Sequence, residues 1–301
     1  MERRNFIGLM ALWGVALSSS YYAYSDYLEK ERQRRIVDVD RRGYNQRYNT
    51  TAHEFLDLAN GLGSTPADRQ ILDNIIDRTL ALPASKKKEK LLEDIEGIIE
   101  DEGIGKSKED IILNEGLEKG KLDCVGLSVI YYSIDEIRKD LNLAVVAAPN
   151  HVFLRCHFGN NYFNWDPIKA KVFDDDFYRK EFNISKNAEE KGVFLRDLDK
   201  NGILSRQYEK LGFEWGNVKK ALESFEKAVK FDSLNSSAYH NIGSWYYKNG
   251  DYRTAVKWYE KAVELDPNFT MAYYNLANAY DNIGDSEKYR YYLNKANQLK
   301  R

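Results

Sequence analysis

Leu122-Asp123-Cys124-Val125-Gly126-Leu127-Ser128 is the stretch on which the fold turns. Asp123 or Lys121 leads into a helix from Cys124 to about Leu141. Val125, Val129, Tyr132 and Ile137, at three- to five-residue intervals, give that helix an expected buried stripe. Leu143–Ala148 alternates too little for a half-exposed strand and suits a central one. Gly159 followed by Asn160-Asn161 closes a hairpin between His151–Phe158 and Tyr162–Asp166. Upstream, apolar residues recur at helical spacing from Ala52 to Leu62, from Ile71 to Leu82 and from Leu91 to Ile99. Ser107-Lys108-Glu109-Asp110 has the form of a capping box starting a fourth helix, Ile111 to Leu117, broken by Gly120. Helices first, then a helix packed on antiparallel strands, is an α+β domain, and it is expected over 51–200.

Beyond Val193-Phe194-Leu195 the chain becomes periodic. Gly216, Gly250 and Gly284 are 34 residues apart, as are Ala221 and Ala255, Phe225 and Tyr259, Ala228, Ala262 and Ala296, and Tyr239 and Tyr273. A period of that length and composition is the tetratricopeptide repeat, in which paired helices stack into an all-α superhelix. Three repeats are expected over 202–301. The middle one fits the pattern nearly everywhere, while the first departs at Ser205 and the third at Tyr289, as ends lacking a neighbour do.

At 301 residues, with 43% apolar and 31% charged side chains, the chain is globular and long enough for two domains. Its net charge of −2 disfavours nucleic acid as a partner. The N-terminus has a different character: Arg3-Arg4 precede an uncharged stretch, Asn5–Ser25, with an apolar centre at Phe6–Leu17. It reads as a signal peptide or membrane anchor over 1–24, followed by a polar tether over 25–50, which makes an anchored or exported chain the expectation, with a frayed amphipathic start of a cytoplasmic chain as the alternative.

Two cysteines are too few for a disulfide framework and lack zinc-site spacing. Cys156 shares strand parity with Val152, Leu154 and Phe158 and is expected in the core. His151 and His157 are six residues apart on a strand, roughly 20 Å and too far for one metal. No Gly-rich phosphate loop, His-Glu-x-x-His or Gly-x-Ser-x-Gly is present, so neither metal nor cofactor is implied.

Cys124 is different because it opens a helix, where the positive end of the macrodipole favours the thiolate. His151 in Pro149-Asn150-His151-Val152-Phe153 and Asp166 in Asn164-Trp165-Asp166-Pro167 follow on consecutive strands. Fifteen residues joined by a turn near Gly159 can bring those two side chains across neighbouring strands. Cys, His and Asp in that order form the arrangement of a papain-type triad: nucleophile, base and orienting carboxylate.

The segment Gly120 to Pro167, with Cys-x-Gly-Leu-Ser, Pro-x-His-Val-Phe-Leu-Arg and Asn-Trp-Asp-Pro, resembles the transglutaminase-like core. It is most similar to the bacterial and archaeal branch in which tetratricopeptide repeats follow that core. The resemblance implies a papain-like fold with catalytic Cys124, His151 and Asp166, and thiol-dependent acyl transfer by a peptidase, amidase or transglutaminase-like enzyme. Asn150 stands where Gly is usual, and Asn tolerates a left-handed turn. Gly-Lys-Leu-Asp before Cys124 is a second departure from the family pattern. The alternative is a non-enzymatic scaffold whose repeats bind a protein or peptide beside a vestigial domain.

Overall fold

The computed structural model describes residues 47–59, 65–84, 87–214 and 218–300. The expected leader or anchor over 1–24 and the tether up to 46 lie outside the described residues. Among the described residues no helix is long and apolar enough to cross a membrane.

The chain divides into two compact units. The first comprises the described residues up to Leu143 together with Cys156–Val172. The second comprises Ala144–Arg155 and the described residues from Phe173 onward, so the division does not follow the expected boundary near 200.

In the first unit the upstream helices are α1 (Thr51–Leu58), α2 (Pro66–Leu80) and α3 (Lys88–Asp101). Arg47 and Tyr48, expected in the tether, are instead held on α2, where Arg47 N donates to Asp73 Oδ2 at 2.8 Å and Tyr48 Oη to Asp77 Oδ1 at 2.7 Å. A short parallel pair, β1 (Gly105–Lys106) and β2 (Lys121–Leu122), flanks α4 (Leu113–Lys119). The capping box expected at Ser107 does not start this helix. Ser107 Oγ accepts from Glu109 N at 3.1 Å in a local turn, and α4 begins six residues later with no side-chain cap. Gly120 ends α4 at φ 66°, a left-handed conformation that suits glycine.

Helix α5 spans Cys124–Arg138. Its buried stripe is Leu127, Ile130, Tyr131 and Ile134, with Val129 of the expected stripe buried beside it, whereas Val125, Tyr132 and Ile137 are only partly covered. The spacing i, i+3, i+4, i+7 is still helical, rotated toward the face that meets α1 to α3. Their buried residues Phe55, Leu56, Ile75, Leu92, Ile95 and Ile99 complete this core. At the start of α1, Thr51 N and Oγ1 donate to the Glu136 carboxylate at 2.7 and 2.8 Å, and Ala52 N donates to Ser133 Oγ at 2.9 Å. A carboxylate of α5 thus sits on the positive end of α1 and fixes the two helices against each other.

The strands β3 (Leu143–Ala148), β4 (His151–Phe158), β5 (Asn161–Asp166), β6 (Lys171–Phe173) and β7 (Asp197–Leu198) form one sheet in the order β6-β5-β4-β3-β7. β3 and β7 are antiparallel with Val145 opposite Leu198. Both faces of β4 are buried at its centre: Phe153 and Arg155 on one, Leu154 and Cys156 on the other. Phe158, expected to face inward, lies exposed at the end of the strand.

The second unit continues through α6 (Asp175–Glu181) and α7 (Lys186–Glu190) to three helical hairpins. These are α8 (Lys200–Glu214) with α9 (Val218–Phe231), α10 (Ser236–Lys248) with α11 (Tyr252–Leu265), and α12 (Thr270–Asn282) with α13 (Ser286–Leu299). Ser205, at the first divergent position, is buried and donates from Oγ to Ala228 O at 2.8 Å, so it replaces a large ring with a hydrogen bond. Tyr289, at the second, packs against the cluster of Ala255, Val256, Tyr259, Leu276, Ala279 and Tyr280. The hairpins are tied to the segment before them by Arg196–Asp232 at 2.6 Å, Lys191 Nζ to Glu264 O at 2.8 Å and Asn268 Nδ2 to Asn183 O at 2.8 Å. That explains why the compact unit begins well before residue 202.

Candidate functional site

Cys124 is the first helical residue of α5 and is half-buried. Asp123 caps the helix, its Oδ1 accepting from Gly126 N at 2.9 Å. Immediately upstream, β2 is pinned to β1 by Gly105 N to Gly120 O and Ser107 N to Leu122 O, each at 2.8 Å. Leu122 is clasped between two glycines, since a Cβ on Gly116 would lie 2.3 Å, and one on Gly126 2.9 Å, from its Cδ2. No side chain larger than hydrogen fits at either place without displacing Leu122. The thiol is therefore carried on a strand-to-helix turn fixed from both sides. Asp123→Ala is expected to cost about 0.5–2 kcal/mol of stability, the worth of a helix cap. Chemical denaturation of the two proteins measures it, and equal midpoints would show that the cap contributes nothing.

Asp166 ends β5 and is fully buried. Its Oδ1 accepts from Ile168 N and Lys169 N, both at 3.0 Å, and Lys169 Nζ lies 3.9 Å from Oδ2. One carboxylate oxygen therefore closes the turn through Pro167. His151 opens β4 directly after Asn150, whose φ of 52° is the left-handed conformation expected where Asn replaces Gly. The imidazole stacks on Phe182, with centroids 5.2 Å apart and planes at 16°, and lies 6.4 Å from the Tyr178 ring at 22°. Cys124 and Asp166 belong to the first unit and His151 to the second.

Cys156 is a core residue, as its parity requires. Its side chain is buried, Sγ donates to Leu141 O at 3.0 Å, and burial pushes the thiol up to about 11. Two polar clusters lie outside the sequence reading. Arg155, buried on β4, donates to Asp197 and Leu195 O at 3.0 Å and to Asp175 at 2.9 Å. His53 Nε2 lies 3.2 Å from Asp73 Oδ1 with neither side chain exposed, and its Nδ1 is 3.0 Å from Thr50 Oγ1. The His53 cluster is structural, locking the entry of α1 to α2. The partners of Arg155 are 20, 40 and 42 residues away and those of His53 include one 20 residues away, separations that no local period reveals.

In the repeat region His240 stands between Phe269 and Tyr259, at centroid distances of 5.0 and 5.5 Å. Asn275 Nδ2 is 2.8 Å from His240 Nε2, which must accept, so the ring is neutral with its proton on Nδ1. Burial lowers His240 from 6.5 to about 4. Below pH 6.5 the unfolded chain binds a proton that the folded chain refuses, so this contribution to stability is lost as pH falls toward 4. Asp266, raised to about 6 by burial, acts in the opposite sense, so the wild type is compared with His240→Gln. Between pH 6.5 and 4 the wild type is expected to lose on the order of 2–3 kcal/mol relative to that variant. Parallel pH dependences in denaturant titrations would contradict a neutral, buried His240.

Two family models match the chain, one described as TPR repeat over residues 244–284 and one as tetratricopeptide repeat over 272–301. Neither is a transglutaminase-like model. No curated protein matches. Similar solved structures include a crystal structure of MamA, 25% identical, covering 32% of this chain and 58% of that one with a TM-score of 0.31. Another is the second TPR of Spaghetti (RPAP3) bound to the HSP90 peptide SRMEEVD, 20% identical, covering 33% of this chain and 95% of that one with a TM-score of 0.32. The chain thus spans a little over half the length of the MamA structure. Residues 244–301 are tetratricopeptide repeats.

Proposed function

We propose that this chain is a protein-binding scaffold whose repeats take an extended peptide or a helix from a partner protein. The observation that carries this reading is the match of residues 244–301 to the repeat family over stacked helical hairpins. Stacked repeats present an extended surface of backbone-rigid helices, and such a surface binds peptide at little ordering cost to itself. Photo-cross-linkers placed singly on α10 to α13 of the full chain test it. Partner peptide should be captured from these helices and equally well by Cys124→Ala. Capture confined to the first unit, or abolished by Cys124→Ala, would overturn the scaffold reading.

A second reading, thiol-dependent acyl transfer, is supported by the seating of Cys124 and by the resemblance of 120–167. Here the Cys124 thiolate adds to the carbonyl carbon of a carboxamide or peptide, and the resulting oxyanion is met by the Cys124 N–H at the helix start. His151 passes a proton to the leaving amine as the C–N bond breaks, while Asp166 holds the imidazole in one tautomer. Water or a second amine then takes the acyl group and returns the thiol. The two readings are compatible, the repeats delivering the protein on which the thiol acts.

A further inference from the structure

Three residues of β4 on one face, Arg155, Phe153 and His151, are met in order by Asp175, Tyr178 and Phe182. Arg155 Nη2 donates to Asp175 Oδ1 at 2.9 Å, the Phe153 and Tyr178 rings stack at 3.7 Å and 9°, and His151 stacks on Phe182 at 5.2 Å and 16°. The strand advances about 6.6 Å per two-residue step. α6 and its C-cap advance about 4.5 and 6 Å over the corresponding three and four residues. The two runs therefore stay in step, antiparallel, over three successive contacts. Arg155, with its ion pairs to Asp175 and Asp197, bolts the far end of this register, and the imidazole occupies the last place in it.

We infer that Phe182 is a positioning residue for His151, setting the plane of the imidazole through a register that runs back to the Arg155–Asp175 ion pair. An imidazole that opens a strand can rotate about two side-chain torsions, and a carboxylate on one nitrogen restrains only the in-plane direction. A parallel ring at stacking distance restrains the tilt. The face of the imidazole is thereby assigned to Phe182, a role that needs an aromatic ring at 182 and is not met by an aliphatic side chain of similar volume. The inference rests on the acyl-transfer reading of Cys124.

Phe182→Leu and Phe182→Tyr, made in the full chain, test it by two readouts. In proton NMR of the imidazole, the ring-current shift that Phe182 imposes on His151 should disappear in Phe182→Leu and persist in Phe182→Tyr. Iodoacetamide alkylation of Cys124, followed from pH 5 to 8, should slow on the order of tenfold near pH 6–7 in Phe182→Leu and recover in Phe182→Tyr, since small misplacements of a catalytic group cost at least that much. If Cys124 of the wild type proves inert to alkylation, the acyl-transfer reading falls and the inference with it. If Cys124 reacts and Phe182→Leu reacts as fast with an unmoved His151 resonance, the acyl-transfer reading stands and the positioning role is overturned.

Discussion

Iodoacetamide applied to the native protein at pH 7 is expected to modify Cys124 and leave Cys156 untouched. Cys156 is sealed in the core, holds a hydrogen bond to Leu141 O, and titrates at about 11. Its thiolate is then about one part in ten thousand at pH 7, against a few per cent for an ordinary free thiol, before any loss from inaccessibility. A rate at least a hundredfold below that of a free thiol follows. Cys124 is only half-buried and begins a capped helix, where a thiolate meets the positive end of the backbone dipoles. Cys124→Ala should erase the labelling and any acyl transfer, while its melting curve stays close to the wild type because little volume is removed. Peptide mapping of the adduct decides the matter. Label found on Cys156, or turnover retained by Cys124→Ala, would remove the chemical basis of the acyl-transfer reading.

Tyr259→Ala should be the most damaging single change in the repeats. The side chain is 1% exposed, packs among Ala255, Val256, Leu276, Ala279 and Tyr280, and donates to Ser244 Oγ at 3.1 Å. Emptying a large buried aromatic site costs about 3–5 kcal/mol. Against a total stability of roughly 5–15 kcal/mol, that is a large share of what holds the middle hairpin to the next one. Hydrogen exchange should show α10 to α13 losing protection first, and binding of any peptide taken by the repeats should fail with them. A melt displaced by less than about 1 kcal/mol would mean that the middle repeat does not carry the array.

Local pattern carried much of this. The start of α5 at Cys124 is legible in the apolar run that follows it, and the burial of Cys156 follows from strand parity. The left-handed Asn150 was legible because few residues other than Gly and Asn accept that conformation. The Ser107 pattern closes a turn instead of capping a helix, because its hydroxyl accepts from the amide of Glu109, two residues on, where a capping box would use the third. The buried stripe of α5 is rotated from the expected one, of which Val129 is buried, because periodicity gives the spacing of buried residues but not the side from which neighbours arrive.

What the sequence determined by itself is therefore what repeats or alternates along the chain: the 34-residue hairpins, the α+β order and the parity that separates the two cysteines. The tertiary structure alone decided which distant groups meet. Glu136 on the start of α1, Asp73 beside His53, and Phe182 stacked on His151 join residues 85, 20 and 31 positions apart. Such contacts are made by folding elements against one another, and a period confined to one helix or strand contains no information about its partner. The entropy of closing loops of that length is recovered only when the whole core forms, so these pairings belong to the fold rather than to any segment of it.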